Sequence, residues 1–355
     1  MKLYKIEAAR GFAAFYVVLH HTIPHSTYLG GFNIGVLLRF GQEAVILFFL
    51  LSGFVINYSF QQSHDRSFKT YFFKRAARIY IPLLMIFGIA YFIEISKTGQ
   101  WVGLSIWELT GNLAMLQDWD LVKPNVIISP FLGNTPLWSL SYEWWFYMLY
   151  FPIATRISSY SSQALLVFGL GIIAAASYTI FPNFITRILT YLPIWWVGVY
   201  LSNLYIHGLT DSYKKTLAPI SGLIIIAAIL AIPVALQINS GEKPLLLGYH
   251  PLLELRHILS AITIITVTLA WRKAGWIGFD FLLKPFLLLA PISYAIYIGH
   301  FPIMVESDFL KTIDQPLLRW SGYLLCLLIA SYLIELKIYP SLRSKISRRL
   351  FPAKA

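Results

Sequence analysis

Arg10 and His21 are residue types that can hold an anion and take up a proton, and both lie in the stretch Glu7 to His21, EAARGFAAFYVVLHH. That stretch is apolar enough for most of a bilayer crossing, and hydrocarbon does not accept ionisable groups without a reason. On an α-helix eleven residues turn through roughly 1100° and rise about 16 Å, so Arg10 and His21 share a face at opposite depths. Glu7 lies one turn before Arg10, where the two can pair near the membrane boundary. His20 points about a quarter turn away.

Three further sets carry chemistry. Arg75 and Arg78 stand one turn apart, followed by Tyr80 and Pro82. A basic pair at a helix start serves either as an anchor for lipid headgroups or as a phosphate clamp, since guanidinium forks bind phosphate bidentately and the helix dipole adds to them. In PLWSLSYEWWFYMLYF, the residues Ser139, Glu143 and Tyr147 recur every four positions and share a face. A carboxylate about one and a half turns into an apolar helix needs a partner, and His21, at a comparable depth, is the candidate. In PISYAIYIGHFPI, Tyr294, Tyr297 and His300 follow helical spacing. A single helical histidine is more often a packing residue, so His300 ranks below His21.

The elements that position these groups follow from composition. Of 355 residues 57% are hydrophobic and 12% charged, which excludes an ordinary soluble domain and indicates a polytopic membrane protein of all-α class. Apolar runs place about ten spans, near 6–24, 36–60, 78–96, 137–157, 163–181, 185–206, 217–238, 251–271, 285–305 and 316–340. The stretch 101–117 is broken by Glu108 and Asn112 and is expected to be amphipathic or re-entrant. The first run lacks a small-residue cleavage site and is read as a retained span.

The net charge of +12 is distributed in alternate loops: HDRSFKTYFFKRAAR, Lys214 with Lys215, Arg272 with Lys273, and the tail after 340. That is a topology signal rather than a nucleic-acid signature. It puts both termini in the cytoplasm, with a membrane domain over 1–340, a basic tail over 341–355, and the loop 97–136 outside. Arg10 and the arginine pair then lie inside and His21 outside. The single cysteine, Cys326, excludes an internal disulfide or a thiolate zinc cluster, and no metal ligand set or dinucleotide fingerprint is evident. Trp195, Trp196 and the group Glu254, Arg256 and His257 line a site or, for the last three, form an interfacial ion pair.

Taken together, Glu7-Ala8-Ala9-Arg10 with His21, Phe48-Phe49 with Ser52-Gly53-Phe54, Arg75 and Arg78 with Tyr80 and Pro82, Trp138-Ser139-Leu140 with Glu143 and Phe146-Tyr147, and Ser293-Tyr294, Tyr297 and His300-Phe301-Pro302 resemble the membrane-bound acyltransferase-3 family. The family includes bacterial O-acyltransferases of O-antigen and exopolysaccharide. The resemblance implies transfer of an acyl group, most often acetyl, from cytoplasmic acyl-CoA to a hydroxyl of an envelope or extracellular glycan or lipid-linked sugar, in the bacterial inner membrane. On that reading His21, oriented by Glu143, is the base, and Arg10, Arg75, Arg78 and Tyr80 hold the donor. Trp138, Ser139, Tyr297 and His300 meet the acceptor, and no metal takes part. One departure is Ile46, where members commonly carry an Asp before the paired phenylalanines; Glu43, one turn earlier, is the nearest carboxylate to stand in for it. A hydrolase-like extra domain carried by some members is not expected here. The rival from another class is a proton-coupled transporter or glycan flippase, with His, Glu and Arg as a relay; no paired broken helices in matching halves favour it.

Overall fold

Among the described residues, seven helices are long and apolar enough to cross a membrane: those within Ile34–Gln61, Phe68–Thr98, Tyr160–Ile180, Phe184–Ile206, Lys214–Ser240, Leu252–Lys273 and Pro316–Leu350. They come from a computed structural model that describes residues 3–210, 212–241 and 244–351. The helices in chain order are α1 (Tyr4–Thr22), α2 (Gly41–Gln61), α3 (Phe68–Thr98), α4 (Ile106–Leu113), α5 (Trp138–Arg156), α6 (Tyr160–Ile180), α7 (Phe184–Ile206), α8 (Tyr213–Ser240), α9 (Leu252–Lys273), the single turn α10 (Phe279–Leu282), α11 (Ser293–His300), α12 (Pro316–Tyr332) and α13 (Tyr339–Leu350). A two-residue-per-strand hairpin pairs Tyr28 with Asn33 and Leu29 with Phe32.

The other three expected spans are helical wholly or in part but fall outside the seven. α1 and α5 have 19 residues each and carry Glu7, Arg10, His20 and His21, or Glu143, within them. The expected helix over 285–305 does not form as one piece: Lys284–Ile292 is a run of 3₁₀ turns, α11 starts at Ser293, and Phe301–Glu306 continues as π-helix. α3 starts ten residues before the expected boundary, capped by the Ser67 hydroxyl on the Thr70 amide, and it stops at left-handed Gly99. α4, eight residues or about 12 Å long, is too short to span, as expected for 101–117. The expected boundary at 340 falls inside α13; residues 352–355 lie outside those described.

The tightest crossing joins α2 and α7. A Cβ at Gly53 would lie 2.0 Å from the Trp195 carbonyl oxygen, and one at Gly198 would lie 2.0 Å from that of Leu50. Each helix thus offers a glycine to the other's backbone, the small-residue packing that brings membrane helices close without a hydrophobic drive between them. Around this crossing Phe49, Tyr142, Phe146, Tyr150, Trp195 and Trp196 form a buried aromatic core. Trp195 and Trp196 are therefore packing residues, except that the Trp195 indole N–H donates to Ser52 Oγ at 3.2 Å.

The segment 114–137 is folded into the protein. Asp118 is buried and accepts from Lys123 Nζ at 2.8 Å, Arg187 Nη1 at 2.9 Å and Tyr142 OH at 2.6 Å. Burial acts to raise this carboxyl, and the Lys123 and Arg187 charges outweigh it, holding Asp118 below the usual carboxylate range. Lys123 Nζ also sits 3.8 Å over the Trp138 ring. The start of α5 is consequently covered by protein.

Replacing Gly198 with Leu puts a side chain into a backbone carbonyl that has no rotamer to move. The expected loss is about 1–3 kcal/mol, read as a lower Tm of the detergent-solubilised chain. An unchanged Tm removes the glycine crossing as the fixed point of the fold.

Candidate active site

A cavity of about 280 Å³ opens between α1, α2, α3, α5, α11 and α13. Arg10, Arg75, Arg78, Ser139, Glu143 and Tyr297, all expected site residues, line it. Phe48, Phe49, Val55 and Ile56 supply an apolar wall.

At its centre Glu143 Oε1 accepts from Ser52 Oγ at 2.5 Å and from the Tyr147 hydroxyl. The two hydroxyl oxygens are 3.1 Å apart. Ser139, Glu143 and Tyr147 do share one face, and that face is turned to the cavity. A carboxylate with two donors on one oxygen is a strong acceptor in a low-dielectric setting.

The same lining also carries cations. Arg10 pairs with Glu7 Oε2 at 2.7 Å and with the Ala290 carbonyl at 3.1 Å, while its buried Nε has no partner. That placement depends on Gly11, where a Cβ would lie 2.1 Å from the Phe286 carbonyl oxygen. Arg78 is ion-paired with Glu335 and lies 5.4 Å from the ring centres of Tyr294 and Tyr339. Among the described residues Lys74, Arg75 and Arg343, all lining the cavity, take part in no ion pair with a carboxylate. Lys74 donates to Ser63 Oγ at 3.1 Å, and Arg75 makes a long contact of 3.5 Å to Ser59 Oγ and lies 5.8 Å from the ring centre of Tyr71. Cations without a carboxylate partner in a cavity wall are suited chemically to an anion.

Glu335 was not singled out from sequence, although it is the only acid in the run 316–340 and an intramembrane acid is itself a signal. It sits on the π-helical stretch Leu333–Ile338. Its second oxygen accepts from the Ala295 amide at 3.2 Å, one of the unpaired N–H groups in the first turn of α11. One carboxylate therefore ties Arg78 of α3 to the helix that carries Tyr297 and His300. In the sequence Ser52 enters only through the Ser52-Gly53-Phe54 segment of the family resemblance, and Lys74 and Arg343 only as topology charges.

The expected pair of His21 and Glu143 is not brought together. His21 lies outside the cavity lining, its ring 5.2 Å from that of His300, 4.8 Å from His20 and 5.6 Å from Phe301. His300 is buried; its Nδ1 donates to the Tyr297 carbonyl at 2.7 Å, which leaves Nε2 as an acceptor, and Nε2 has no partner. Tyr297 stands between the two regions. Its hydroxyl donates to the Pro136 carbonyl at 2.8 Å and lies 2.7 Å from Ser139 Oγ, and its ring is 6.2 Å from that of His300.

Three further expectations are corrected. Tyr80 is not at the cavity: its hydroxyl donates to the Leu113 carbonyl at 2.7 Å and its ring packs edge-on to Trp144. Trp138 faces away, stacked on His257 at 5.8 Å. Glu43 is no substitute for the missing Asp, because both of its oxygens are held by Arg256, at 2.5 and 2.8 Å. Arg256 is thus ion-paired, but with Glu43 of α2 rather than within its own segment, where Glu254 accepts from the Tyr178 hydroxyl at 2.7 Å and buried His257 contacts Tyr191 and Gln42. Among the described residues no group of three or more His, Cys, Asp or Glu is placed to hold a metal ion.

A family model described as an acyltransferase domain matches residues 3–336. The chain belongs to the acyltransferase-3 family. It is similar to Acyltransferase MdmB of Streptomyces mycarofaciens, 36% identical over 163 residues, which make up 44% of this chain and 40% of that relative. The chain thus spans well under two thirds of the length of the curated relative it matches. No solved structure matches it. The family match takes in every cavity residue except Tyr339 and Arg343.

Truncating Glu335 to Ala strands Arg78 and uncaps α11. The expected loss is about 3–5 kcal/mol, seen as a fall in Tm, whereas the paired change Arg78→Met with Glu335→Leu is expected to recover most of it. Equal losses in the single and double variants would show that the pair is not coupled.

Proposed function

We propose that this member of the acyltransferase-3 family is an integral-membrane O-acyltransferase of a bacterial plasma membrane. It moves an acyl group, acetyl first among the candidates, from cytoplasmic acyl-CoA to a hydroxyl of an envelope or extracellular glycan or lipid-linked sugar. The observation that carries this reading is that one cavity is lined both by cations with no carboxylate partner among the described residues and by the hydrogen-bonded Ser52–Glu143–Tyr147 group. The donor's phosphates sit at Lys74, Arg75 and Arg343, with Arg78 and Arg10 behind them. Its acyl end lies along the wall of Phe48 and Phe49, beside Glu143. Phosphate is recognised by guanidinium forks, and the exposed position of Arg343 suits a rim contact. The acceptor enters from the far side, where His21 and the unfilled Nε2 of His300 take its hydroxyls, with Tyr297 and Ser139 between.

The similarity to a relative named as an acyltransferase supports the reaction class, as does the family. The positive-inside distribution of loop charge supports the cytoplasmic side for the cations. The glycan acceptor and the acetyl group come from the family resemblance. The deciding experiment supplies the purified chain with labelled acetyl-CoA and an envelope glycan extract, then asks by mass spectrometry what gained an acetyl group. Transport or flipping with no acyl-CoA consumed would overturn the reading in favour of a carrier.

Two variants sharpen it. His21→Ala is expected to abolish transfer while the protein stays in the membrane at normal abundance. Arg75→Ala, which removes a guanidinium with no carboxylate of its own, is expected to raise KM for acyl-CoA about tenfold to a hundredfold, with kcat little changed. Its effect should shrink as salt rises. If acyl-CoA binding is unaltered and membrane insertion fails instead, Arg75 is an anchor.

A further inference from the structure

The same cavity contains a hydroxyl placed for covalent chemistry. Ser52 Oγ donates to Glu143 Oε1 at 2.5 Å, and both groups line the cavity that the proposed donor enters. The oxygen is held from a second side by the Trp195 indole N–H at 3.2 Å. Trp195 is fixed in turn, because its own carbonyl is the atom against which Gly53, the residue after Ser52, packs. A hydroxyl, a carboxylate base within hydrogen-bond reach, and a third group that orients the oxygen make up the arrangement of an activated nucleophile.

There is also a spatial reason for a covalent stop. The cations, Ser52, Glu143 and Tyr297 line the cavity, whereas His21 does not; it lies beyond His300, whose ring is 6.2 Å from that of Tyr297 and 5.2 Å from that of His21. A donor seated on the arginines presents its thioester to Ser52 and Glu143 rather than to His21. A serine serving packing alone would satisfy the glutamate equally well, but it would not have to face the cavity.

We propose that Ser52 is a nucleophile and that the chain works through an acyl-Ser52 intermediate. This rests on the reading above for the identity of the donor. In the first half Ser52 Oγ attacks the thioester carbonyl carbon and its proton passes to Glu143 Oε1. The carbon–sulfur bond breaks and the leaving sulfur takes that proton, giving the serine ester and the free thiol. In the second half the acceptor hydroxyl, delivered past His21 and Tyr297, gives its proton to Glu143 as its oxygen attacks the ester carbon. The bond to Ser52 Oγ breaks, and Ser52 recovers the proton. The Trp195 N–H points at the oxygen that gains charge as it leaves, where a fixed donor is most effective.

The test uses the full chain in lipid nanodiscs with acetyl-CoA and no acceptor. The expected result is a burst of free CoA equal to the amount of enzyme and an acetyl group on the peptide containing Ser52, discharged when glycan extract is added. Ser52→Ala is expected to lose the burst, the modified peptide and transfer to the glycan. Ser52→Cys, which keeps a nucleophile of similar size and guards against a folding defect, is expected to retain the burst and acquire the acetyl group on sulfur. Glu143→Gln is expected to slow the burst on the order of a hundredfold. Wild-type transfer rates in Ser52→Ala, or an acetyl group on His21 instead, would overturn the intermediate and leave the acyltransferase reading intact. A wild-type chain that consumes no acetyl-CoA even with glycan present would overturn both.

Discussion

The hydrogen-bonded carboxylate of Glu143 is the constraint around which the rest of the structure is arranged. An ionised carboxylate inside a helix bundle is expensive unless its oxygens are met by donors. Here the donors come from two helices, Ser52 from α2 and Tyr147 from one turn further along α5. For Ser52 to reach it, α2 must be held at a fixed depth and rotation, and the paired glycines of α2 and α7 do this through backbone contact rather than adjustable side chains. The aromatic core then has little freedom, because Tyr147 is held again by the Tyr71 hydroxyl on its carbonyl at 3.0 Å. A single polar demand in an apolar medium thus propagates into the packing of α2, α3, α5 and α7.

The cationic half obeys the same rule in a different way. Arg10 and Arg78 are each balanced by one carboxylate, Glu7 and Glu335, which lie outside the cavity lining. These two arginines are structural parts of the wall as well as charges facing inward. Lys74, Arg75 and Arg343 are the surplus, and the surplus is what a ligand anion meets. The π-helical stretch at 333–338 matters because it sets Glu335 toward α11, and π segments inside α-helices mark places where packing has been given up for a specific contact.

Much of this was legible in the sequence, in angle more than in depth. The four-residue spacing of Ser139, Glu143 and Tyr147 gave their common face, and the apolar runs gave the helices. Arg10 and His21 were expected on one face about 16 Å apart, and that rise is what carries His21 past the cavity. Glu143 was expected level with His21 on the assumption that α5 begins at the membrane surface. The start of α5 lies under the folded segment 114–137, where Trp138 is 4% exposed and Lys123 lies over its ring. No hydropathy pattern announces that a connecting loop will bury itself through Asp118 and Arg187. Contacts across long separations were equally hidden: Arg78 with Glu335, and Glu43 with Arg256, are partners that neither periodicity nor local charge could name.

The separation of the two ends carries a physical consequence for any transfer through this protein. On the proposed reading, a thioester held by its phosphates and an acceptor hydroxyl must meet where both can be shielded from water, and among the described residues the only titratable group in the cavity lining besides the cations and tyrosines is Glu143. Tyr297 lines that space, held by bonds to Pro136 and Ser139, and on the proposed reading it is a side chain rather than a helix that stands toward the histidines. A side chain can yield where a helix cannot, since its cost of displacement is one or two hydrogen bonds, about 1 kcal/mol each. On the proposed reading the bundle can therefore stay rigid around Glu143 while one tyrosine yields, and an acyl group need not move together with its carrier.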